Sequence, residues 1–286
     1  MRITPATKIV GLLGYPVAHS FSPALHNHLY ATLEIDMVYL AFDIEPTQVK
    51  AAVEGFRTLG FEGFNVTIPY KETVINMLDY VDEEARVIGA VNTVKIKNGE
   101  LIGYNTDGQG FVHALKYNGF SVSGCNVTVL GAGGSARAIC ISLADENPNS
   151  ITIVNRTFSR AVKLANLIND YKGKTLVAAS RAIPHGADII INTTSLGMWP
   201  NVKENPLDGT SLNPRTLVCD IVYNPLETAM LRYAASQGCK TCNGIGMLIG
   251  QGLRAVEIWM EKKLPASSWQ VMMEALMFKN LTKNDN

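Results

Sequence analysis

The stretch VTVLGAGGSARA, residues 127–138, decides the fold of this chain. An apolar run ends at Gly131, Gly133 follows two residues later, and Ala136 takes the third position of a G-x-G-x-x-G/A pattern. Such a turn needs glycines because the chain bends sharply and a pyrophosphate must approach the backbone closely. A helix that begins near Gly134 would present the positive end of its dipole to those phosphates. The stretch therefore predicts a strand–turn–helix unit that binds a dinucleotide.

The residues around this stretch repeat the alternation of strand and helix. From about residue 125, short apolar runs recur, mostly separated by helical patterns: NVTVLG, ITIVNR, KTLVAA, ADIIINT, TLVCDIVY and CKTC. Apolar runs of this kind are typical of parallel strands whose two faces are covered by helices. A lone glycine motif is a weak signal, but here it lies between a predicted strand and a predicted helix. A glycine-rich turn without a ligand stays the alternative.

The end of the second of these strands indicates which dinucleotide is bound. An NAD site usually has Asp or Glu there, whose carboxylate binds the ribose 2′-hydroxyl. This strand instead ends IVNRTFSR, with no acid and with Arg156 and Arg160 close together. Two guanidinium groups could bind a 2′-phosphate, although Arg160 could equally be a solvated helix residue. NADP is therefore favoured over NAD.

The first third of the chain also alternates strands and helices. KIVGLLG leads to Ser22-Pro23, which we interpret as an N-cap serine with proline at the first helical position. MVYLAFDI precedes a helical pattern that ends at Gly60, and GFNVTIP precedes a helix predicted through ETVINMLDYV. Asn98-Gly99 lies between strand-like flanks and predicts a type I′ hairpin. Two long helical patterns, at about 246–263 and 266–280, close the chain.

These patterns predict an α/β fold with two domains and a cleft between them. We assign residues 1–107 to an N-terminal α/β substrate-binding catalytic domain, completed by the C-terminal helices over 244–286. Residues 108–243 form the predicted Rossmann-like, doubly wound NADP-binding domain. The final helices are expected to pack back on the first domain.

The composition favours a small-molecule substrate. The chain has 286 residues, and 25 Lys and Arg balance 25 Asp and Glu, so its formal net charge is zero. A nucleic-acid groove or an acidic-membrane surface needs a basic excess, so neither partner is expected. No apolar run approaches the roughly 18–20 residues that span a bilayer. Gly11, Gly14 and Pro16 interrupt the apolar start, which predicts a strand and loop rather than a signal peptide, and hence a cytoplasmic protein.

The five cysteines do not predict a metal or redox site. Cys239 and Cys242 form a C-x-x-C pair, but a zinc site needs a second ligand pair and no matching Cys or His pair is present. Thioredoxin-like chemistry would place the pair at a helix start after a strand. Here QGCKTCNG indicates a short buried strand after a helix, so no metal is expected.

Several polar residues lie where strands of the first domain end. Lys71 follows Pro69 at the end of FNVTIPYKE, residues 64–72, so its side chain can be directed into a cleft. Ser20 and Ser22 start a helix, where two hydroxyls beside unpaired N–H groups could bind a carboxylate. Ser22 could instead only cap its helix. Asn92 and Asp107 are further candidates, and Asp107 too could be only an N-cap.

Taken in order, HSFSP, NVTIPYKE, GAVNT, NTDG, GAGGSAR, NRT, INTTSLGM and NGIGMLIGQG resemble the shikimate dehydrogenase family along nearly the whole chain. Several separated motifs in the right order are more specific than any one. The resemblance implies NADP-dependent, reversible reduction of 3-dehydroshikimate to shikimate, in aromatic amino-acid biosynthesis. The alternative within the fold is a quinate/shikimate dehydrogenase with broader substrate and NAD use. A non-catalytic NADP-binding regulatory module is a rival from another class, but it would have lost Lys71 and Asp107.

The resemblance also implies the roles of individual residues. Lys71 and Asp107 would be the catalytic pair beside the reacting oxygen, and which of them is the formal base stays open. Residues implied in substrate binding are Ser20, Ser22, Thr67, Asn92, Asp107, Tyr223 and Gln251. Residues implied in cofactor binding are Gly131, Ala132, Gly133, Gly134, Ser135, Asn155, Arg156, Thr157, Arg160, Ile221, Gly244 and Met247. A homodimer is considered, but no exposed apolar stripe in the sequence specifies an assembly.

Overall fold

The structure is a computed structural model that describes the backbone of residues 3–282 and the side chains of residues 3–276. The chain divides into two compact units. The first comprises Met1–Thr106 and Ile249–Asn286, and the second comprises Asp107–Leu248.

The first unit contains a six-stranded sheet within the described residues, in the order β2-β1-β3-β5-β6-β4. Its elements up to residue 104 are β1 (Lys8–Gly14), α1 (Ser22–Thr32), β2 (Met37–Asp43), α2 (Val49–Thr58), β3 (Gly63–Val66), a 3₁₀ helix (Thr73–Met77), β4 (Tyr80–Val81), α3 (Glu83–Ile88), β5 (Thr93–Lys97) and β6 (Glu100–Tyr104). β1 runs parallel to β2 and β3, whereas β5 runs antiparallel to β3 and to β6. The predicted hairpin joins β5 to β6, and both of its turn residues have positive φ, 53° at Asn98 and 80° at Gly99.

The strand register brings several chain segments to one edge of this sheet. Leu13 near the end of β1 pairs with Val66 at the end of β3, and Thr93 at the start of β5 pairs with Tyr104 at the end of β6. Asn65 in turn pairs with Thr93, which joins the two halves of the edge. We call the ends of β1, β3 and β6 and the start of β5 the carboxyl edge. Loops that leave or enter these strands there must lie side by side.

The two faces of the first sheet differ in character. On one face Phe56 contacts the rings of Phe42, Phe61 and Phe64, with centroid separations of 5.0, 4.7 and 4.9 Å. Such aromatic clusters bury large apolar areas and dominate the energetics of a core. Neighbouring residues of a strand point to opposite faces, so Asn65 lies on the face opposite Phe64. That second face therefore carries buried polar side chains.

The second unit is a parallel sheet of six strands among the residues described, in the order β12-β11-β10-β7-β8-β9. Its elements are α4 (Asp107–Tyr117), β7 (Asn126–Leu130), α5 (Gly134–Ala144), β8 (Ser150–Val154), α6 (Phe158–Lys172), β9 (Val177–Ser180), β10 (Ile189–Asn192), β11 (Leu217–Asp220), α7 (Ala229–Ser236) and β12 (Lys240–Cys242). Counted from β7, this is the strand order 6-5-4-1-2-3 of the Rossmann fold. The chain order reverses between β7 and β10, which is where ligands bind in such sheets.

Two helices close the described chain, α8 (Ile245–Met260) and α9 (Ser268–Thr282). From Ile249 onward they belong to the first unit, where α9 packs against α1. Trp259 of α8 is buried, and its indole N–H donates to the Val94 carbonyl of β5 at 2.9 Å. Within residues 3–282 no helix is long and apolar enough to cross a membrane.

Two expectations from the sequence are wrong. The helix predicted through ETVINMLDYV is only a 3₁₀ turn, Thr73–Met77, followed by strand β4. The Asp79 carboxylate accepts the Leu101 N–H at 2.7 Å, and β4 then pairs with β6, so contacts with β6 override the local helical pattern. The strand at CKTC is not buried: β12 is at the edge of its sheet, and both Lys240 and Thr241 are exposed.

Candidate active site

Ser20 and Ser22 lie at the start of α1, after the end of β1. The N-cap is Phe21, whose φ and ψ of −81° and −18° are already helical, and no side chain caps the helix. The prediction that Ser22 is the N-cap is therefore wrong, because Ser22 lies within the first turn. Its backbone N–H donates to Ser20 Oγ at 3.2 Å, and its own hydroxyl lies near the phenol of Tyr39. Ser22 therefore does not act only as a helix cap.

Thr67 and Lys71 lie in the loop that leaves β3 at the carboxyl edge. The Thr67 N–H donates to the Leu13 carbonyl of β1 at 2.9 Å, and the Lys71 carbonyl accepts the Val91 N–H at 2.8 Å. The loop is therefore held at both ends by neighbouring strands or their connections. Its lysine is half-buried.

Asn92 enters β5 at the same edge and is 2% exposed. Its Oδ1 accepts the Thr106 N–H at 2.8 Å, and its Nδ2 donates to Thr106 Oγ1 at 3.0 Å. Asp107 follows by one peptide bond and is the first residue of α4, with 6% of its surface exposed. A carboxylate in the first turn of a helix interacts favourably with the helix dipole.

Three segments thus bring five predicted residues to the carboxyl edge of the first unit: Ser20, Ser22, Thr67, Lys71 and Asn92. They supply hydroxyl groups, an amide and an ammonium group within one sheet edge. Hydroxyls and amides both donate and accept hydrogen bonds, and the ammonium adds positive charge. This donor set fits a small anion that carries several hydroxyl groups.

The glycine-rich turn of the second unit has the form that a pyrophosphate needs. Gly131 follows β7 with φ of +113°, and a Cβ there would lie 2.6 Å from Thr193 Oγ1, so only glycine fits. At Gly133 and Gly134 an added Cβ would meet nothing within 4 Å, so the space before α5 is open. The N-cap of α5 is Gly133, and no side chain bonds its first N–H groups. Ala132 and Ser135 flank these glycines and are half-buried.

The residues predicted to bind the adenosine 2′-phosphate lie after β8. Asn155 Nδ2 donates to the Thr157 carbonyl at 2.9 Å, and this closes the turn before α6. Arg156 and Arg160 are both exposed on that turn and on the first turn of α6. The arrangement leaves two guanidinium groups able to reach a phosphate beside a helix N-terminus.

A third arginine, Arg181, lies at this position, and no sequence motif marks it. β8 and β9 end side by side, with Val154 opposite Ser180, and Arg181 follows β9 directly. Its guanidinium lies 4.4 Å from the ring centroid of Phe158, the first residue of α6. The strand order of a Rossmann sheet could have indicated this neighbour, because β9 lies next to β8.

The loop after β11 contains Ile221 and Tyr223, and Tyr223 is half-buried, which raises the pKa of its phenol. Gly244 packs directly on this loop: its N–H donates to the Val222 carbonyl at 3.1 Å, and a Cβ would lie 2.1 Å from the Ile221 carbonyl oxygen. Any other residue at this position would displace the loop. Met247 and Gln251 follow in α8, and both are half-buried.

A buried carboxylate, which the sequence analysis did not predict, holds the loops after β10 and β11 together. Asp220 is 1% exposed and accepts hydrogen bonds from Val222 N–H at 3.0 Å, Thr228 Oγ1 at 2.7 Å and Asn192 Nδ2 at 3.0 Å. Burial raises the pKa of this carboxyl group to about 6, although the three hydrogen bonds act in the opposite direction. Asn192 also binds the Thr194 N–H at 3.0 Å, so Asp220 orders two loops at the ligand-binding end of the sheet.

A Rossmann sheet with an open glycine turn, in a chain whose other unit brings hydroxyl, amide and ammonium groups to one end of its sheet, defines a dinucleotide-dependent oxidoreductase. Two family models match the chain: one described as "Shikimate dehydrogenase substrate binding domain" over residues 12–94, and one described as "Shikimate / quinate 5-dehydrogenase" over residues 114–221. The chain belongs to the shikimate dehydrogenase family. The predicted family and fold class are thereby confirmed.

Known proteins match the chain over nearly its whole length. The NADP(+) shikimate dehydrogenase of Caldanaerobacter subterraneus subsp. tengcongensis is 45% identical over 262 residues, which cover 91% of this chain and 94% of the relative. A solved shikimate dehydrogenase in complex with NADP+ is 42% identical with a TM-score of 0.89, covering 97% of each chain. The shikimate 5-dehydrogenase of Listeria monocytogenes, solved with shikimate and NAD, is 38% identical with a TM-score of 0.87, covering 96% of this chain and 98% of that one.

Proposed function

We propose that this chain catalyses the NADP-dependent, reversible reduction of 3-dehydroshikimate to shikimate, a step of aromatic amino-acid biosynthesis. The observation that carries the proposal is the set of hydroxyl, amide and ammonium groups at the carboxyl edge of the first unit. Such a set suits a cyclohexene carboxylate with several hydroxyl groups. Membership of the family supports the same activity.

The two units have different proposed roles, one in substrate binding and one in cofactor binding. We assign substrate binding to residues 1–107 together with 244–286, and NADP binding to residues 108–243. The family model for substrate binding covers 12–94, which supports the first assignment. The open turn before α5 supports the second, because its glycines leave room for phosphate oxygens at a helix N-terminus.

The chemistry requires a hydride at the ketone carbon and a proton at its oxygen. NADPH supplies the hydride when it is bound. Lys71 stabilises the negative charge that develops on the oxygen and donates the proton, and in the reverse direction its amine takes that proton back. Asp107 acts with Lys71 as the other member of the catalytic pair, and which of them is the formal base stays open.

The remaining substrate groups are held away from the reacting carbon. Ser20 and Ser22 bind the carboxylate together with Tyr223, and Thr67, Asn92 and Gln251 bind ring hydroxyls. Asn92 is suited to this role because Thr106 already holds its amide in one orientation. An amide that is held in advance loses little freedom when the substrate binds.

The cofactor residues act at three positions of the dinucleotide. Residues 131–135 bind the pyrophosphate, and Asn155, Arg156, Thr157 and Arg160 bind the adenosine 2′-phosphate. Ile221, Gly244 and Met247 lie at the nicotinamide end. Gly244 supports Ile221 directly, since the Ile221 carbonyl leaves no room for a Cβ at that position.

A quinate/shikimate dehydrogenase that also uses NAD is the second candidate. One matching family model is named for both shikimate and quinate, and the Listeria relative was solved with NAD. Steady-state kinetics with shikimate and quinate, each with NADP and NAD, separate the candidates. We expect the highest kcat/KM for shikimate with NADP. A preference for quinate or for NAD would support the second candidate, and no activity with any pair would reject both.

The proposal extends to the assembly and the cellular location of the protein. We propose a homodimer, supported by β2, which is an edge strand with Leu40 44% exposed, and edge strands can pair between copies. Sedimentation at micromolar concentration tests it, and a monomer would reject it. A cytoplasmic location is supported by five free thiols, since reducing compartments keep cysteines unpaired. Cell fractionation tests that location.

A further inference from the structure

A chain of buried hydrogen bonds lies beneath the carboxyl edge of the first unit and centres on Tyr39. This β2 side chain is 1% exposed, and its O–H donates to Asn65 Oδ1 at 2.8 Å. β1 lies between β2 and β3, so the phenol reaches across β1 to make this bond. The hydroxyl of Ser22 lies near the same phenol. Tyr39 therefore lies between the first turn of α1 and the middle of the sheet.

The chain continues from Asn65 to the other end of the carboxyl edge. Asn65 Nδ2 donates to the Asn92 carbonyl at 3.1 Å and to Thr93 Oγ1 at 3.0 Å. Asn92 Oδ1 then accepts the Thr106 N–H at 2.8 Å. The Thr93 hydroxyl donates to the same Asn92 Oδ1 at 3.0 Å, so a series of hydrogen bonds runs from Tyr39 through Asn65, Thr93 and Asn92 to Thr106.

The network carries no charge. His26 of α1 stacks on the Tyr39 ring with centroids 4.2 Å apart and planes 11° apart, and burial lowers the pKa of its imidazole to about 3. Burial also raises the pKa of the Tyr39 phenol far above its ordinary value, so both rings are neutral near pH 7. Hydrogen bonds among buried neutral groups are strengthened by the low local dielectric, and such networks fix the orientation of their members.

We propose that Tyr39 is a positioning residue for the substrate: without touching it, its hydroxyl keeps Asn65 turned toward Asn92 and lies against the Ser22 side chain that binds the carboxylate. The inference rests on the proposed function, because only there do Ser22 and Asn92 bind substrate. A phenol is suited to the task because it both donates and accepts. Phenylalanine would leave the Asn65 oxygen without the donor that orients its amide.

The test removes the hydroxyl oxygen of Tyr39 and compares the effect with that of removing the hydroxyl oxygen of a neighbouring buried tyrosine. Tyr30 is also buried beside His26, and its hydroxyl bonds to His26 Nδ1 at 3.2 Å, not to Ser22 or Asn65. Tyr39→Phe and Tyr30→Phe are therefore the same chemical change in the same surroundings. We expect Tyr39→Phe to raise KM for shikimate roughly 5- to 20-fold, the effect of one or two neutral hydrogen bonds, with a smaller change in kcat. Tyr30→Phe should change KM less than about 2-fold, since its bond is outside the network.

Further measurements distinguish positioning from general support of the fold. In an Asn92→Ala background, Tyr39→Phe should add less than its effect in the wild type, because Tyr39 is connected to Asn92 through Asn65. Equal KM changes in the two tyrosine variants, or a loss confined to kcat, would overturn the inference. So would thermal melts in which Tyr39→Phe fails to fold while Tyr30→Phe folds. A wild-type protein that does not oxidise shikimate would overturn the proposed function instead.

Discussion

Replacing Asp220 by Asn changes the pH dependence of stability in a direction that the structure specifies. Burial raises the pKa of this carboxyl group from its ordinary 3.8 to about 6 in the folded chain. The folded state therefore binds the proton more tightly than the unfolded state does, and stability falls as the pH rises through the interval between the two values. Below that interval the carboxyl group is protonated in both states. Above it, the whole of this pH-dependent stability has been lost.

The size of the effect follows from the same shift. About two pKa units correspond to roughly 3 kcal/mol, lost between about pH 4 and pH 6. For a chain of this size, each kcal/mol changes Tm by roughly 2–4 °C. The Tm of the wild type minus that of Asp220→Asn should therefore decrease by roughly 5–10 °C from pH 4 to pH 7. Altered hydrogen bonds in the variant shift this difference by a constant amount and leave its slope unchanged.

Differential scanning calorimetry of both proteins at unit steps of pH measures that slope. Asp208→Asn is the control, because Asp208 is an exposed carboxylate in the same unit. The pH dependence of its Tm difference from the wild type is the background with which that of Asp220→Asn is compared. A difference for Asp220→Asn that only follows this control would refute the reasoning, since the Asp220 carboxyl group would then titrate alike in the folded and unfolded chain. A difference that grows with pH would show that the hydrogen bonds from Val222, Thr228 and Asn192 outweigh burial.

Three further changes test the proposed site. Lys71→Ala should lower kcat about 10²–10⁴-fold with little change in shikimate KM, as expected for a positioned general acid; a near-normal kcat, or a loss confined to KM, would remove Lys71 from the chemistry. Arg156→Ala should weaken NADP binding roughly 10–150-fold by loss of a charge-assisted bond and leave the NAD reaction nearly unchanged; titration calorimetry with both cofactors measures this, and equal losses would indicate a structural arginine. Ser20→Ala should raise KM for shikimate more than it lowers kcat, because the carboxylate is remote from the reacting carbon. Steady-state kinetics measure this, and a variant with an altered Tm but unchanged KM and kcat would contradict the role.

Much of the fold is determined by local sequence. The turn after β7 needs φ of +113° at Gly131, and a glycine there is visible in the sequence. Asn98 and Gly99 likewise predict a turn with positive φ at both positions, which the hairpin has. Apolar runs of four or five residues predict the strands of the second unit. Each of these signals depends on a few adjacent residues, so no knowledge of distant contacts is required.

The tertiary structure decided the features that depend on distant partners. The sequence around residues 73–81 has a helical pattern, but pairing with β6 makes a short strand at Tyr80–Val81. Ser22-Pro23 has the sequence of a serine-capped helix start, but the N-cap is Phe21. Asp220 belongs to no sequence motif, and the pairing of β10 with β11 brings Asn192 within hydrogen-bonding distance of it. Sequence alone thus determined which backbone conformations and strands form, because steric preference and apolar periodicity act over a few residues. Only the order and register of the strands decided which buried polar groups meet, because those partners lie tens of residues apart and their contact depends on the whole sheet.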